Sequence, residues 1–235
     1  MSLIKFIRPT ALRYIGREHQ SGNIYTFSFK STFTLSWHAG QHGMIELRLS
    51  SGKLARRMFS LSSAPSEQIV SITTYWLGDD KASDFKKALW QMGPGDDARI
   101  RGPVGPLYVR DPSQHNVFIA GGIGITPFRS ILQEAVNQKQ DLHGALFHLN
   151  HVVSKPIFKI ELLALAKQLP CLQVNFVTAL EGIPTNTLLQ ISNNNPHAMF
   201  YIAGPPKLIR HYNRLLKDVG VPSSHIKSDL FRGFK

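Results

Sequence analysis

The sequence predicts two domains in series: an antiparallel β-barrel or sandwich, then an α/β domain built on a parallel, Rossmann-like sheet. Three observations carry this. The first half holds short alternating runs rich in β-branched and aromatic residues, cut by Gly, Ser and Pro. The second half alternates short apolar runs with helical patterns, the mark of βαβ units. Between them, Asp111-Pro112-Ser113-Gln114 has the residue types of a linker turn. A chain of 235 residues accommodates two domains, placed at 1–111 and 112–235. With 43% hydrophobic and 18% charged residues, each half can bury its own core.

Strands are expected at 24–29, 44–49, 69–76 and 98–101, where apolar and polar residues alternate. One helix interrupts them at 83–90, with Ser83 as the capping residue and Gly93-Pro94-Gly95-Asp96 as the stop. In the second half, residues 117–120, 145–149, 172–177 and 198–203 read as strands. Thr126 and Pro127 are expected to open a helix as N-cap and first helical residue. An amphipathic helix is expected at 158–169, ending before Pro170, and a last one at 206–219.

Composition narrows the function classes. Lys and Arg number 27 against 15 Asp and Glu, a net charge of +12, which attracts polyanions, acidic proteins and anionic membranes alike. No run of five basic residues occurs, so nucleic acid is not an expected partner. Cys171 is the single cysteine, which excludes an internal disulfide and a cluster held by four thiolates of this chain. It is read as a small core residue. Lys5, Arg8 and Pro9 interrupt any leader-like apolar run, and no stretch is long enough to span a membrane, so a cytoplasmic location is expected. His38 and His42, and His148 and His151, have close spacing but no third ligand in view. They are read as solvent-facing or turn residues, and no metal is expected.

Two glycine turns carry chemistry. Phe118-Ile119-Ala120-Gly121-Gly122-Ile123-Gly124-Ile125-Thr126-Pro127 reads as strand, turn and helix start. A diphosphate needs bare backbone N–H groups and the positive end of a helix, which this arrangement offers. Ala203-Gly204-Pro205-Pro206 repeats the pattern after a later strand. Ligands of open parallel sheets lie across the strands' carboxyl ends, so both turns are expected at one edge. In the first half, Arg57-Met58-Phe59-Ser60 places a phosphate-clamping guanidinium, a flat ring and a hydroxyl donor in close order.

In the family's order, these segments resemble the ferredoxin–NADP reductase superfamily. Arg57-Met58-Phe59-Ser60 is similar to its Arg-x-Tyr-Ser flavin motif, with Phe59 for Tyr. Thr73-Thr74-Tyr75 falls where a strand passes the flavin, and Lys81-Ala82-Ser83 where a helix start holds the FAD diphosphate. Gly102-Pro103-Val104-Gly105 resembles the turn closing the barrel. Gly121-Gly122-Ile123-Gly124-Ile125-Thr126-Pro127 resembles the nicotinamide-nucleotide motif. Ala203-Gly204-Pro205-Pro206 resembles Cys-Gly-Pro-Pro without the thiol, and the end, through Phe234, resembles Glu-x-Phe-x-Gly-Tyr.

The resemblance implies an FAD-binding β-barrel, an NADPH- or NADH-binding α/β domain, and a cytoplasmic flavoprotein oxidoreductase. It assigns Ser60 as the catalytic hydrogen-bonding neighbour of the flavin, and Phe234 as a cover over it. Phe59 keeps the ring but loses the hydroxyl, and Ala203 loses a thiol beside the nicotinamide. The donor is left open between NADH and NADPH, since Leu149-Asn150-His151 offers neither an acid nor an Arg. The expected acceptor is a separate acidic carrier of the ferredoxin or flavodoxin type, which a +12 surface would steer. The alternatives are reduction of free flavin, quinone or another small acceptor, and a flavin-free basic binding protein on the same fold.

Overall fold

The computed structural model describes residues 8–151 and 155–229. A six-stranded antiparallel sheet has the order β4-β3-β6-β1-β2-β5. Its strands are β1 (Thr10–Ser21), β2 (Ile24–Ser31), β3 (His42–Arg48), β4 (Leu54–Ser60), β5 (Val70–Tyr75) and β6 (Asp97–Val104). The sheet curls until its two edges meet, where Leu61, just past β4, bridges Ile72 of β5. Alternate residues face inward, as a period of two requires. Leu12, Tyr14, Phe27, Phe29, Ile45, Leu47, Ile72 and Ile100 form one core. Helix α1 (Asp84–Gln91) closes it with Phe85 and Leu89, both buried. Ser83 stands at the cap position in extended backbone, but its hydroxyl makes no capping bond.

The second sheet has five strands in the order β11-β10-β7-β8-β9, all parallel. They are β7 (Asn116–Gly121), β8 (Gly144–Asn150), β9 (Leu172–Thr178), β10 (Met199–Ala203) and β11 (Ile226–Ser228). Apolar residues on both faces of β7 explain its central place. Phe118 and Ala120 pack under α2 (Thr126–Asn137) and α3 (Lys159–Ala166). Val117 and Ile119 pack under α4 (Thr185–Asn194) and α5 (Pro206–Asp218). The chain runs outward from β7 to β9, then crosses back to β10 on the other side of β7. The β7–β10 boundary is therefore the topological switch point, and the glycine turns after these two strands sit side by side there.

Polar contacts join the sheets. The Ser130 hydroxyl of α2 donates to the Ser63 carbonyl at 2.6 Å, and the Ser66 N–H donates to a Glu134 carboxylate oxygen at 2.9 Å. Arg129 of α2 bonds Glu67 and Glu161 and donates to the Ser62 carbonyl at 3.0 Å. The Asp111 turn between the sheets closes on itself, its carboxylate accepting the Ser113 N–H and hydroxyl.

Three expectations are corrected. Thr126 is the first residue of α2 rather than its cap, because a 3-10 turn over Gly122–Ile125 leads the chain into the helix with Ile125 at the cap. Cys171 is exposed, since it lies in the turn before β9 and not within the strand. His148 is fully buried within β8, and His42 is largely buried and bonded to Asp229, so neither is a solvent-facing histidine. Among the described residues no group of three or more His, Cys, Asp or Glu is placed to hold a metal, and no helix is long and apolar enough to cross a membrane.

Candidate functional site

A cleft of about 870 Å³ opens between the barrel and the carboxyl edge of the parallel sheet. Its barrel wall is the end of β4 (Met58, Phe59, Ser60), the end of β5 (Thr73, Thr74, Tyr75) and the β1–β2 hairpin turn at Gly22 and Asn23. Its other wall is Gly121, Gly122, Gly124 and Thr126, with Ala203, Gly204, Pro205 and Leu208 beside them. Asn150, His151 and Lys155 close one end, and Asp229 also lines the cleft. Segments far apart in sequence thus meet in one space, as the topology requires.

The two glycine turns are nested, and this explains most of their glycines. A Cβ on Gly124 would lie 2.6 Å from the Ala203 carbonyl carbon and from Gly204 Cα. One on Gly121 would meet Leu208 at 2.5 Å and Pro205 at 3.0 Å, and one on Gly204 would meet Gly121 backbone at 3.0–3.1 Å. These are packing demands of one turn on the other. Gly122 differs: its φ is +52°, and only the Tyr75 hydroxyl, at 3.8 Å, approaches its would-be Cβ. It faces the cleft and exposes backbone there, which is the property a diphosphate needs. Ala203 acts here through its backbone, so the missing thiol does not disturb the nesting.

On the barrel wall, the Thr73 hydroxyl is held by Thr26 at 2.8 Å and Ser62 at 3.0 Å. Thr73 and Thr74 are buried, while Tyr75 is 36% exposed and reaches toward Gly122. Burial pushes the Tyr75 phenol above its ordinary value, so it stays protonated as a donor. Arg57, Lys81, Ala82 and Ser83 lie outside the cleft lining, as do Pro127 and Pro206 within the first turns of α2 and α5. Arg57 and α1 are nonetheless neighbours. The Arg57 guanidinium is 5.9 Å from the Phe85 ring centre, and Phe59 packs on Phe85 at 5.8 Å. The guanidinium therefore sits near the helix that Lys81, Ala82 and Ser83 lead into. Phe234 lies outside the described residues.

Sequence reasoning missed several cleft residues. The Gly22-Asn23 hairpin turn had a signal in its residue types. Leu208 and Asp229 had little, because their place depends on packing between distant segments. Asp229 bonds His42 at 2.5 Å, and the backbone of His42 pairs opposite Ser60.

His148 lies behind the first turn, buried and outside the cleft lining. From β8 its Nε2 lies 2.9 Å from the Gly122 carbonyl oxygen. Burial lowers its pKa to about 4, although the Gly122 carbonyl favours the proton. The sign of the consequence is fixed. Between about pH 6.5 and 4 the unfolded chain binds a proton here and the folded one does not, so stability is lost as pH drops from 6.5 to 4. The full loss is about 3 kcal/mol. Urea midpoints of the wild type and His148→Gln at pH 7, 6, 5 and 4 should diverge in this window, the wild type losing more; parallel curves would disprove it.

Residues 118–214 match the family model of the oxidoreductase NAD-binding domain. A component of the Na(+)-translocating NADH-quinone reductase of Neisseria meningitidis is 25% identical over 202 residues, covering 75% of this chain and 49% of that protein. The chain thus spans about half the length of the curated relatives it matches. Ferredoxin-NADP+ reductase from Plasmodium falciparum superposes with a TM-score of 0.80 at 14% identity, over 98% of this chain and 99% of that one. The flavohem-like FAD/NAD binding domain of nitric oxide dioxygenase from Vibrio cholerae superposes at 0.77 with 19% identity, over 94% of this chain and 98% of that one. The curled barrel, the switch-point turns and the matched nucleotide domain lead to one assignment. Residues 118–214 are similar to an oxidoreductase NAD-binding domain, and the chain as a whole shares the two-domain fold of ferredoxin-NADP+ reductase.

Proposed function

We propose that this chain is an FAD-dependent reductase that takes a hydride from NADH or NADPH and passes the electrons to a separate acceptor. The observation that carries the reading is the facing of the two walls. The Ser60-Thr74-Tyr75 wall and the Gly122 turn line one cleft, so two flat rings can stack between them. The residues fit the cofactor: Arg57 stands beside α1 to meet a diphosphate, and Met58 and Phe59 offer apolar surface to a ring. Bound FAD supplies hydride acceptance and the release of electrons singly or in pairs. Ser60 would donate a hydrogen bond to the flavin, and Thr74 lines the strand beside it. Lys81, Ala82 and Ser83 complete the diphosphate site at the start of α1. Gly121, Gly122, Gly124 and Thr126 would hold the dinucleotide diphosphate, Pro127 setting the helix start behind them, and the Ala203–Pro206 turn would orient its nicotinamide end. The two roles divide near Asp111, with residues 1–111 serving the flavin and 112–235 the nicotinamide nucleotide.

Two acceptors have support. The +12 charge favours an acidic ferredoxin or flavodoxin steered by its field. The relative from an NADH-quinone reductase favours a quinone. Turnover with an acidic carrier should fall steeply as salt rises, whereas turnover with an uncharged quinone should not.

The deciding experiment is the absorbance spectrum of the purified protein, followed by anaerobic titration with NADH and NADPH. A flavin spectrum bleached by either donor is the expected result and reads the preference directly. Colourless protein that takes up no added FAD would overturn the proposal.

A further inference from the structure

Strand β8 is apolar at Ala145, Leu146, Phe147 and Leu149, and all are buried. His148 breaks the run and is itself 0% exposed. Burying an imidazole among such residues is costly unless its polar atoms are bonded. Only one of them is. The Gly122 carbonyl can only accept, so Nε2 carries the proton and donates at 2.9 Å. Among the described residues Nδ1 is buried with no hydrogen-bond partner. The ring packs at 5.9 Å from Phe176 of β9, and Lys159 lies over the far ring at 5.4 Å. A phenylalanine or leucine would suit this core better, so the histidine is there for the bond it makes. That bond leads to the cleft-lining glycine of the turn whose would-be Cβ points clear of the neighbouring turn.

We propose that His148 is a positioning residue that fixes the Gly122 peptide, and so sets how tightly the turn grips a nicotinamide dinucleotide. The inference rests on the proposed function, in which Gly122 meets the diphosphate. The geometry gives the cause. A donor to the Gly122 carbonyl pins the peptide that links Gly122 to Ile123 and keeps its plane from turning, next to a residue whose φ is +52°. On the other side the turn is held by contact with Ala203 and Gly204. His148 is thus the polar anchor on the β8 side, out of reach of the ligand itself.

Three variants test this. His148→Gln carries an N–H donor at about the reach of Nε2, His148→Asn is too short, and His148→Leu has none. Nucleotide dissociation constants come from the change in flavin absorbance on adding NADP+ or NAD+, alongside KM and kcat. His148→Leu and His148→Asn should weaken nucleotide binding about tenfold, the loss of one buried hydrogen bond. KM should change more than kcat, and flavin content should be retained. His148→Gln should recover most of the affinity. Variants that lose stability but keep wild-type dissociation constants would make the histidine merely structural and overturn the inference. If His148→Leu fails to fold, equal affinities for the Gln and Asn variants overturn it instead. Wild-type protein that holds flavin but binds neither nucleotide overturns the proposed function, and this inference with it.

Discussion

Arg129→Met is expected to destabilise the protein by about 3 kcal/mol, because it removes the cation that two partly buried carboxylates share. In a chain of this size that loss corresponds to a fall of roughly 6–12 °C in melting temperature. The side chain is only 14% exposed and bonds Glu67 on the barrel side and Glu161 of α3, each at 2.5 Å. Burial alone would weaken its charge, but the hydrogen bonds and charges of both glutamates outweigh this and hold its pKa above the ordinary value. Met fills the stem's volume yet leaves two carboxylates and the Ser62 carbonyl without their donor. A second substitution, Glu67→Gln, in the Arg129→Met background should restore part of the stability, since it removes one of the stranded charges. Thermal melts of the single and double variants give the answer, and an Arg129→Met melt within 2 °C of wild type, about the effect of a surface change, would refute it. Arg129 follows the glycine turn directly in α2, and its barrel partners follow Ser60. The same variant should therefore loosen the spacing between the two walls of the cleft and slow electron transfer from the nucleotide.

What the sequence revealed, and what it hid, follows from the kind of signal each element carries. The barrel strands β2, β3 and β5 were legible because their core side chains, Phe27 and Phe29, Ile45 and Leu47, and Val70 and Ile72, recur at every second position. Strand β1 is the longest of the barrel and was passed over. Only Leu12 and Tyr14 of its 12 residues are buried, and its later part is polar, so it is held by pairing with β2 rather than by a face of its own. Helix α4 was missed for a related reason. Thr185, Asn186, Thr187, Ser192, Asn193 and Asn194 are poor helix formers, and its one buried residue, Leu188, does the anchoring. At the candidate site, the turn residues and the β4 motif could be read locally, since their residue types are demanded by backbone geometry. Asp229 and Leu208 could not, and the Gly22-Asn23 segment showed a turn but not its place, because all of them join the cleft only when the sheets have docked. His148 was misread for the opposite reason: it was weighed only as a metal ligand beside His151 and put on the surface for want of a third ligand, although the strand expected at 145–149 already set it among apolar residues.

The nesting of the two turns sets the other large expectation, that Gly124→Ala weakens nicotinamide-nucleotide binding on the order of 100-fold, about 2.7 kcal/mol and the size of penalty that overpacking a close contact brings. The new methyl would strike Ala203 and Gly204 backbone, not a side chain that could swing away. One turn must move, and either movement spreads the pair that sits at the switch point. Some of the strain will appear as lost stability, about 1–3 kcal/mol for an overpacked site. Gly122→Ala makes a sharper comparison, because its Cβ has room and only its φ of +52° is unfavourable. That conformational cost is about 1–2 kcal/mol, so the turn is strained without being pushed off its neighbour. Gly16→Ala, where nothing lies within 4 Å and φ is not positive, is the control for the substitution itself. The measurement is nucleotide affinity by flavin difference absorbance for all three, with flavin content as the check on the barrel. If Gly124→Ala binds like Gly16→Ala, the contact between the turns has no bearing on the ligand, and Gly124 is glycine for folding alone. If it loses the nucleotide while keeping its flavin, the two turns act as one device, whose halves follow the central strand β7 and its neighbour β10.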